Sequence, residues 1–363
     1  MKNYKPILKI GAIIVSGIIF VLTLLAAYGG YINPHKFTLP SIAVLFFPYL
    51  AMLTLICALG WFIARQYVMG FIGVAVLLSC GPTFTAALPF RFPNNPQNPE
   101  NSFKLVTFNC LHMEDIKKKD LDYNRSLSFL IHSEADFICL QELYNFAPPE
   151  VPAKYNAQLD SICEIYPYIS TQNSREIEFL SKYPFKQFDV KLPYDISRGS
   201  CTAYQTAIEG HELTIINVHL PSYRLSDKEK EIIKQMTSSR GAKKSVREFK
   251  GSIYHKMGKA FQERAVVSKV IADYAESVKG DVIICGDFND VPGSWSYRTF
   301  KKSGFEDAYA NTSFGHIITY NSHLMFFHID QVLYRGDLIP LSVKKVRLNS
   351  SDHYPLEAQF EFM

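Results

Sequence analysis

Several short apolar runs in the second part of the chain end in a polar side chain capable of chemistry. Residues 105–108 lead into Asn109, 137–141 into Glu142, 213–218 into His219, and 282–286 into Asp287, with Asn289 two residues on. Asp352-His353 stands just before a last apolar run at 356–362. Strand ends converge on one rim of a sheet, where sites are commonly built. Carboxylates gathered there repel unless a divalent cation neutralises them, and hard cations take the oxygen ligands that Asn, Asp and Glu offer. Each residue alone has a plain structural role. A Glu after a strand is a solvated turn residue, Gly-Asp-Phe-Asn caps a turn, and a histidine on an apolar strand is a core residue. Their succession at the ends of consecutive runs points instead to one shared site.

The elements that must position them can be read from periodicity. Residues 104–108, 136–140, 212–219, 281–285, 329–334 and 356–362 read as strands, bounded by turn residues. Residues 122–132, 257–278 and 294–302 read as helices, the second with apolar residues at a period near 3.6. Strands and helices mix without strict alternation, which predicts an α+β enzyme domain.

The first hundred residues are of another kind. They hold six Lys/Arg and one acid, which leaves 32 of 38 basic and 33 of 34 acidic residues to the remainder. The remainder is therefore neutral overall, and whole-domain basicity gives no argument for a nucleic-acid partner. Apolar runs at 10–27, 42–63 and 69–90 carry no Asp, Glu, Lys or Arg and approach the roughly 20 residues needed to span a bilayer. They predict three transmembrane helices, and a lipid bilayer as partner. Lys2, Lys5, Lys9 and Arg65 fall on one side, against Lys36, Arg91 and Lys104 on the other. That small bias expects a cytoplasmic N-terminus. The domain after residue 90 then lies outside, on the periplasmic face of the inner membrane in a bacterium or the lumenal or outer face in a eukaryote. The expected organisation is a membrane anchor over 1–90, a Pro/Asn-rich linker over 91–103 and a catalytic domain over 104–363. Cys110, Cys139, Cys163, Cys201 and Cys285 read as small buried hydrophobes, not bridges.

The motifs resemble those of the endonuclease/exonuclease/phosphatase superfamily, which includes DNase I, AP endonucleases, sphingomyelinases and inositol-polyphosphate 5-phosphatases. The matching segments are Thr-Phe-Asn (107–109), Leu-Gln-Glu (140–142), Asn-Val-His-Leu (217–220), Gly-Asp-Phe-Asn (286–289), Ile-Asp (329–330) and Ser-Asp-His-Tyr-Pro (351–355), in family order. The resemblance implies a four-layer DNase I-like fold of two packed β-sheets flanked by helices. It also implies hydrolysis of a phosphoester with Mg²⁺, or Mn²⁺ in its place. By the same resemblance Glu142 is the principal metal ligand, with Asn109 beside it and Asp352 helping to hold the metal site. Asp287 orients or deprotonates the attacking water. Asn289 donates its amide to a phosphoryl oxygen. His353, oriented by Asp330, stabilises the transition state, and His219 sits on the phosphate from the other side. Such a carboxylate–imidazole pair fixes the tautomer and raises the imidazole pKa.

Three departures from the family pattern stand out. Glu176 and Glu178 occupy a segment that often holds small residues, and one of the two is a candidate to touch the site. His328 replaces an arginine before Ile-Asp. Leu111 stands where some nucleases carry an extra acid, which disfavours AP-endonuclease identity.

Residues 224–264 hold twelve Lys/Arg against five acids. They read either as a basic flap over phosphate-rich substrate or anionic lipid, or as a solvated helical face. The leading expectation is a membrane-tethered phosphodiesterase or phosphatase acting on a phospholipid or other small phosphoester. A nuclease outside the cytoplasm is the less favoured reading, and an inactive membrane-anchored binding module is the third.

Overall fold

A computed structural model of the chain describes residues 5–113, 123–143, 153–170, 176–193, 199–236, 253–322 and 325–363. One six-stranded sheet holds β1 (Ser102–Asn109), β2 (Phe137–Gln141), β3 (Tyr168–Ile169), β4 (Ile177–Ser181), β13 (Leu338–Lys345) and β14 (Leu356–Phe362). Their order is β13-β14-β1-β2-β4-β3, with β1 and β2 parallel. A second six-stranded sheet holds β5 (Phe185–Asp189), β6 (Ser200–Ile208), β7 (His211–His219), β8 (Asp281–Asp287), β9 (Glu306–Asp307) and β12 (Asp330–Arg335). Its order is β5-β6-β7-β8-β12-β9, with β7 and β8 parallel. A small ribbon pairs β10 (Tyr320–Ser322) with β11 (Met325–Phe327). Every strand read from periodicity is present.

The sheets pack face to face because each strand alternates between two apolar environments. Phe103, Leu105, Phe137, Cys139, Phe179, Ile215, Ile283, Cys285 and Val332 fill the space between the sheets. Val106, Phe108, Ile138 and Leu140 face the other way, onto α6 (Arg125–His132) and α7 (Asn156–Ile165). Ile216, Val218, Val282 and Ile284 likewise meet α9 (Tyr254–Ser277) and α10 (Trp295–Lys302), numbered after α8 (Asp227–Met236). The result is the expected pair of packed sheets flanked by helices. Helix α10 starts where Ser294 caps it, its hydroxyl accepting from the Tyr297 amide at 3.3 Å. Of the five cysteines read as buried, Cys110, Cys139, Cys201 and Cys285 are so, whereas Cys163 is exposed.

The N-terminal region differs from the three straight spans expected. Among the described residues, only Pro6–Tyr31 is a single helix long and apolar enough to cross a membrane. The other two runs form bent pairs: α2 (Leu39–Leu45) with α3 (Phe47–Ile63) at 70°, and α4 (Tyr67–Ser79) with α5 (Gly81–Ala87) at 72°. The cause is Pro48 and Pro82, each in the first turn of the second helix of its pair. Proline has no N–H to continue the preceding helix, so the chain turns there and restarts. The first helix, α1 (Lys5–Tyr28), contains no such break. It is tied to α3 by a Thr23–Thr54 hydroxyl pair at 2.7 Å and by the Trp61 indole donating to Ser16 at 2.9 Å.

The end of α1 and the short arms α2 and α5 all meet the sandwich. The Arg298 guanidinium of α10 lies 3.6 Å from the Tyr31 ring centroid and donates to the Thr83 hydroxyl at 2.6 Å. The Pro/Asn-rich stretch after α5 is extended and bound to the sandwich. The Asn94 amide donates to Leu341 O at 2.7 Å, and the Gln97 and Asn98 amides donate to the Glu361 carboxylate at 2.8 and 2.6 Å.

Glu178, in β4, is buried opposite Leu140 on the helix-covered face, where the Ser170 hydroxyl donates to it at 2.6 Å. Burial raises its pKa from about 4.5 to about 7, against the pull of the Ser170 hydrogen bond. Its contribution is therefore fully favourable below about pH 4.5 and is lost as pH rises through about 7. Glu178→Gln keeps an acceptor for Ser170 without the charge. Chemical or thermal denaturation of the full chain in detergent is expected to show the variant more stable than wild type at pH 8.5, by on the order of 2 kcal/mol, and equal to it near pH 4.5. A variant less stable at pH 8.5 would contradict this account of Glu178.

Candidate functional site

The space between the sheets changes character along the strands. The inward residues run Leu105, Thr107, Asn109 on β1, Phe137, Cys139, Gln141 on β2, Ile215, Asn217, His219 on β7, and Ile283, Cys285, Asp287 on β8. Four strands thus pass from apolar to polar in the same direction. The pairing register aligns the ends: Asn109 stands opposite Gln141, and Asp287 opposite both His219 and Asp330. Just beneath the site, buried amides stitch the sheets together. Gln141 Nε2 donates to Asn217 Oδ1 at 2.7 Å, and Asn217 Nδ2 donates to the carbonyls of Leu140 and Glu178, each at 3.0 Å. With most of its donors satisfied, this layer separates the dry core from the charged rim.

Asp287 is the centre of the rim and is 1% exposed. One carboxylate oxygen accepts from the Asn289 amide N–H at 2.8 Å, the other from Asn109 Nδ2 at 3.0 Å and Asn289 Nδ2 at 3.2 Å. The Nε2 atoms of His219 and His353 each lie 3.7 Å from that second oxygen. Burial raises the Asp287 pKa. Both imidazoles and the Asn289 amide oppose that shift, and Asp330 adds to it.

Asp330, at the start of β12, receives His353 Nδ1 at 2.9 and 3.1 Å. Its own approach is set by Thr319, whose hydroxyl accepts the Ile329 and Asp330 amides at 3.0 Å. For His353, burial alone would lower the pKa, but Asp330 and Asp287 outweigh it and raise it to about 10. The imidazole is therefore a cation at neutral pH, with Nε2 free to point at a substrate anion.

Glu142 accepts from Asn109 Nδ2 at 3.0 Å and lies 3.9 Å from His219 Nε2. Its backbone is left-handed (φ 55°), as are those of Asn289 (φ 48°) and Glu176 (φ 60°). Such strain in non-glycine residues clusters where a side chain must be aimed out of a strand end. Gly286 (φ 143°) answers a different need: a Cβ there would meet Val218 O at 1.9 Å, so only glycine lets β7 approach β8 beside Asp287.

The donor atoms of Glu142, His219 and Asp287 lie within 4.8 Å of one another, as do those of Asp287, Asp330 and His353. The first group offers two carboxylates, and His219 Nε2 is buried with no hydrogen-bond partner. Carboxylate oxygens with an unpaired imidazole nitrogen are a donor set that fits a divalent cation. Asp352 belongs to neither group; it lines the same cleft, as do Glu142, Asp287, Asn289 and His353. Asn109 presents its NH₂ to the two carboxylates, while its oxygen accepts the Leu111 amide at 3.3 Å. Asn289 likewise uses its amide on Leu220 O at 3.0 Å as well as on Asp287. The structure thus brings all eight sequence-derived site residues to one rim, with the two asparagines bracing the carboxylates.

The departures resolve separately. Glu176 touches the site: its carboxylate lies 3.9 Å from His219 Nδ1, on the side away from Asp287. Glu178 does not. His328 is buried beside Tyr309, and burial, with His316 near it, lowers its pKa to about 3. Leu111 lines the cleft as an apolar residue. Of the basic segment, Arg224 and Lys230 line the cleft and residues 237–252 lie outside the described residues. Sequence reasoning missed Thr319 and Tyr320, whose ring packs 4.9 Å from His353. Thr319 is in a loop and Tyr320 opens the three-residue strand β10, too short to give a periodic signal. The Asn217–Gln141 layer had a signal, a polar residue inside each of two quoted motifs.

Solved structures are similar to the chain at low identity. An endonuclease/exonuclease/phosphatase from Beutenbergia cavernae is 12% identical, with 72% of each chain covered and a TM-score of 0.47. A family protein from Leptotrichia buccalis is 14% identical, covering 72% of this chain and 100% of that one, with a TM-score of 0.48. TDP2 from D. rerio, complexed with single strand DNA product, is 14% identical over 72% and 99% of the chains, with a TM-score of 0.48. No curated protein matches the chain. Residues 8–86 match a domain of unknown function. Residues 106–353, which carry every residue of the rim, match the Endonuclease/Exonuclease/phosphatase family, and the chain belongs to that family of phosphoester hydrolases.

Proposed function

We propose that this chain is a membrane-tethered, Mg²⁺-dependent phosphoester hydrolase in which Asp287 handles the attacking water. The observation that carries the reading is the setting of Asp287: buried, fixed by two asparagines, and flanked by two imidazole nitrogens at 3.7 Å each. A carboxylate whose pKa is raised is a better base than a solvated one, and its fixed oxygens orient a water without reorganisation. The water oxygen forms the new P–O bond and gives its proton to the carboxylate. The bond to the leaving alcohol breaks with its electron pair on oxygen, which then takes up a proton. Imidazolium His353, held by Asp330, stabilises charge growing on the phosphoryl oxygens, and His219 does so from the β7 side.

A divalent cation held by Glu142, with Asn109 and Asp352 beside it, would supply Lewis-acid stabilisation of the same oxygens. Glu176, near the far nitrogen of His219, steadies that ring. Tethering rests on the long apolar α1. It raises the local concentration of bilayer substrates, and the charge bias places the N-terminus in the cytoplasm. The near-neutral charge after residue 100 disfavours nucleic acid.

The test is turnover by the full chain in detergent on a bis-aryl phosphate, sphingomyelin, inositol phosphates and plasmid DNA, each with Mg²⁺ or EDTA. Hydrolysis that EDTA abolishes is expected, and Asp287→Asn should lower kcat/KM at least about 10²-fold with no loss of thermal stability. Silence on every substrate would support the inactive binding module, and efficient cleavage of plasmid alone would support the nuclease.

A second expectation concerns pH. Because His353 is held protonated to about pH 10, activity that needs its charge should persist to high pH and fall above it. Asp330→Asn removes the adjacent anion, so the basic limb of the kcat/KM profile should move down by about one unit or more. An unmoved limb would remove His353 from the mechanism.

A further inference from the structure

The cleft over the rim encloses about 260 Å³ and is lined by both charged and apolar residues. Beside Asp287 and Asp352 the lining includes Leu45, Leu225, Phe327 and Ile329. Leu45 is not a residue of the sandwich. It is the last residue of α2, the short arm that Pro48 turns away from α3. Val44 and Leu45 are buried in one cluster with Ile253, Met257, Phe261, Val291 and Ile329. The same module fixes the neighbouring strand of the wall. The Tyr49 hydroxyl of α3 donates to Phe326 O at 2.6 Å, and the Phe46 ring, at the bend, meets Phe327 edge-on at 6.2 Å. From there the apolar surface continues along α3, where Met52, Leu53 and Ile56 are exposed. Arg224 and Lys230 line the cleft as its cations.

Apolar side chains in the same cleft as carboxylates and cations are of no use to a small, fully solvated phosphoester. They match a molecule with a phosphate at one end and hydrocarbon at the other. We propose that the cleft takes a phosphoester bearing a hydrocarbon chain, and that α2 is the wall along which the chain lies. The bent pair is then part of the substrate site as well as an anchor. This rests on the hydrolase reading above and narrows its substrate class.

The test is a homologous series of p-nitrophenyl alkyl phosphodiesters, methyl to octyl, each assayed below its micellar concentration with the full chain in detergent. Each methylene that leaves water on binding should raise kcat/KM by up to about fourfold, so the hexyl ester should exceed the methyl ester at least about tenfold. Leu45→Ser and, from a different segment, Leu225→Ser should each flatten the dependence. Turnover independent of chain length in the wild type would overturn this inference and leave the hydrolase intact. A steep dependence unchanged in both variants would overturn the assignment of the wall. No turnover on any member, with Mg²⁺ present, would overturn the hydrolase and this inference together.

Discussion

An ionised carboxylate at the edge of a dry β-sandwich is the constraint around which this molecule is arranged. Asp287 cannot be buried at the end of β8 without partners, because an isolated buried charge would neutralise itself. Its partners come from both sheets. Asn109 arrives on β1 of the first, while His219 and Asp330 arrive on β7 and β12 of the second, in register with Asp287 itself. Keeping these groups together requires the sheets to stay aligned at that end, and the Gln141–Asn217 layer ensures it from below. The close approach of β7 at Gly286, and the left-handed turns at Glu142 and Asn289, are local strains accepted for the same purpose.

Charge compensation also divides the labour among similar side chains. Asp287 and Asp330 are both buried aspartates, 1% exposed, yet only Asp330 has a direct imidazole hydrogen bond. That pairing keeps His353 a cation, and the cation in turn helps keep Asp287 ionised. Glu142, more exposed than either and hinged on a strained turn, also lines the open cleft. A cation would complete a balance that histidines and amides have partly made.

The N-terminal helices are joined to this arrangement instead of hanging from a flexible tether. Arg298 stacks on Tyr31 and bonds Thr83, and the polar stretch after α5 is bound along β13 and β14. The two proline bends bring α2 and α5 onto the sandwich, one of them as far as the cleft.

Much of this was legible in the sequence for one reason: a short continuous apolar run reports a strand buried on both sides, and a polar residue next to the end of such a run reports a rim. Asn109, Glu142, His219, Asp287 and His353 were readable on those grounds, along with β1, β2, β7, β8, β12 and β14. The strands that escaped notice, such as β3, β9 and the exposed edge β5, are short or lack an apolar face. Apolar runs identified the N-terminal apolar helices but not their shape. Pro48 and Pro82 were in view, yet a proline marks only a break; whether the restarted helix continues straight or turns 70° depends on the surface it meets. The sequence by itself determined which polar side chains gather at the rim and which segments shun water, because residue type and period are local properties. Only the tertiary structure decided that Glu176 and not Glu178 reaches His219, that Asp352 stands apart from the tight carboxylate group, and that Leu45 walls the cleft. Those are distances between segments far apart in the chain, set by register and packing that no local pattern encodes.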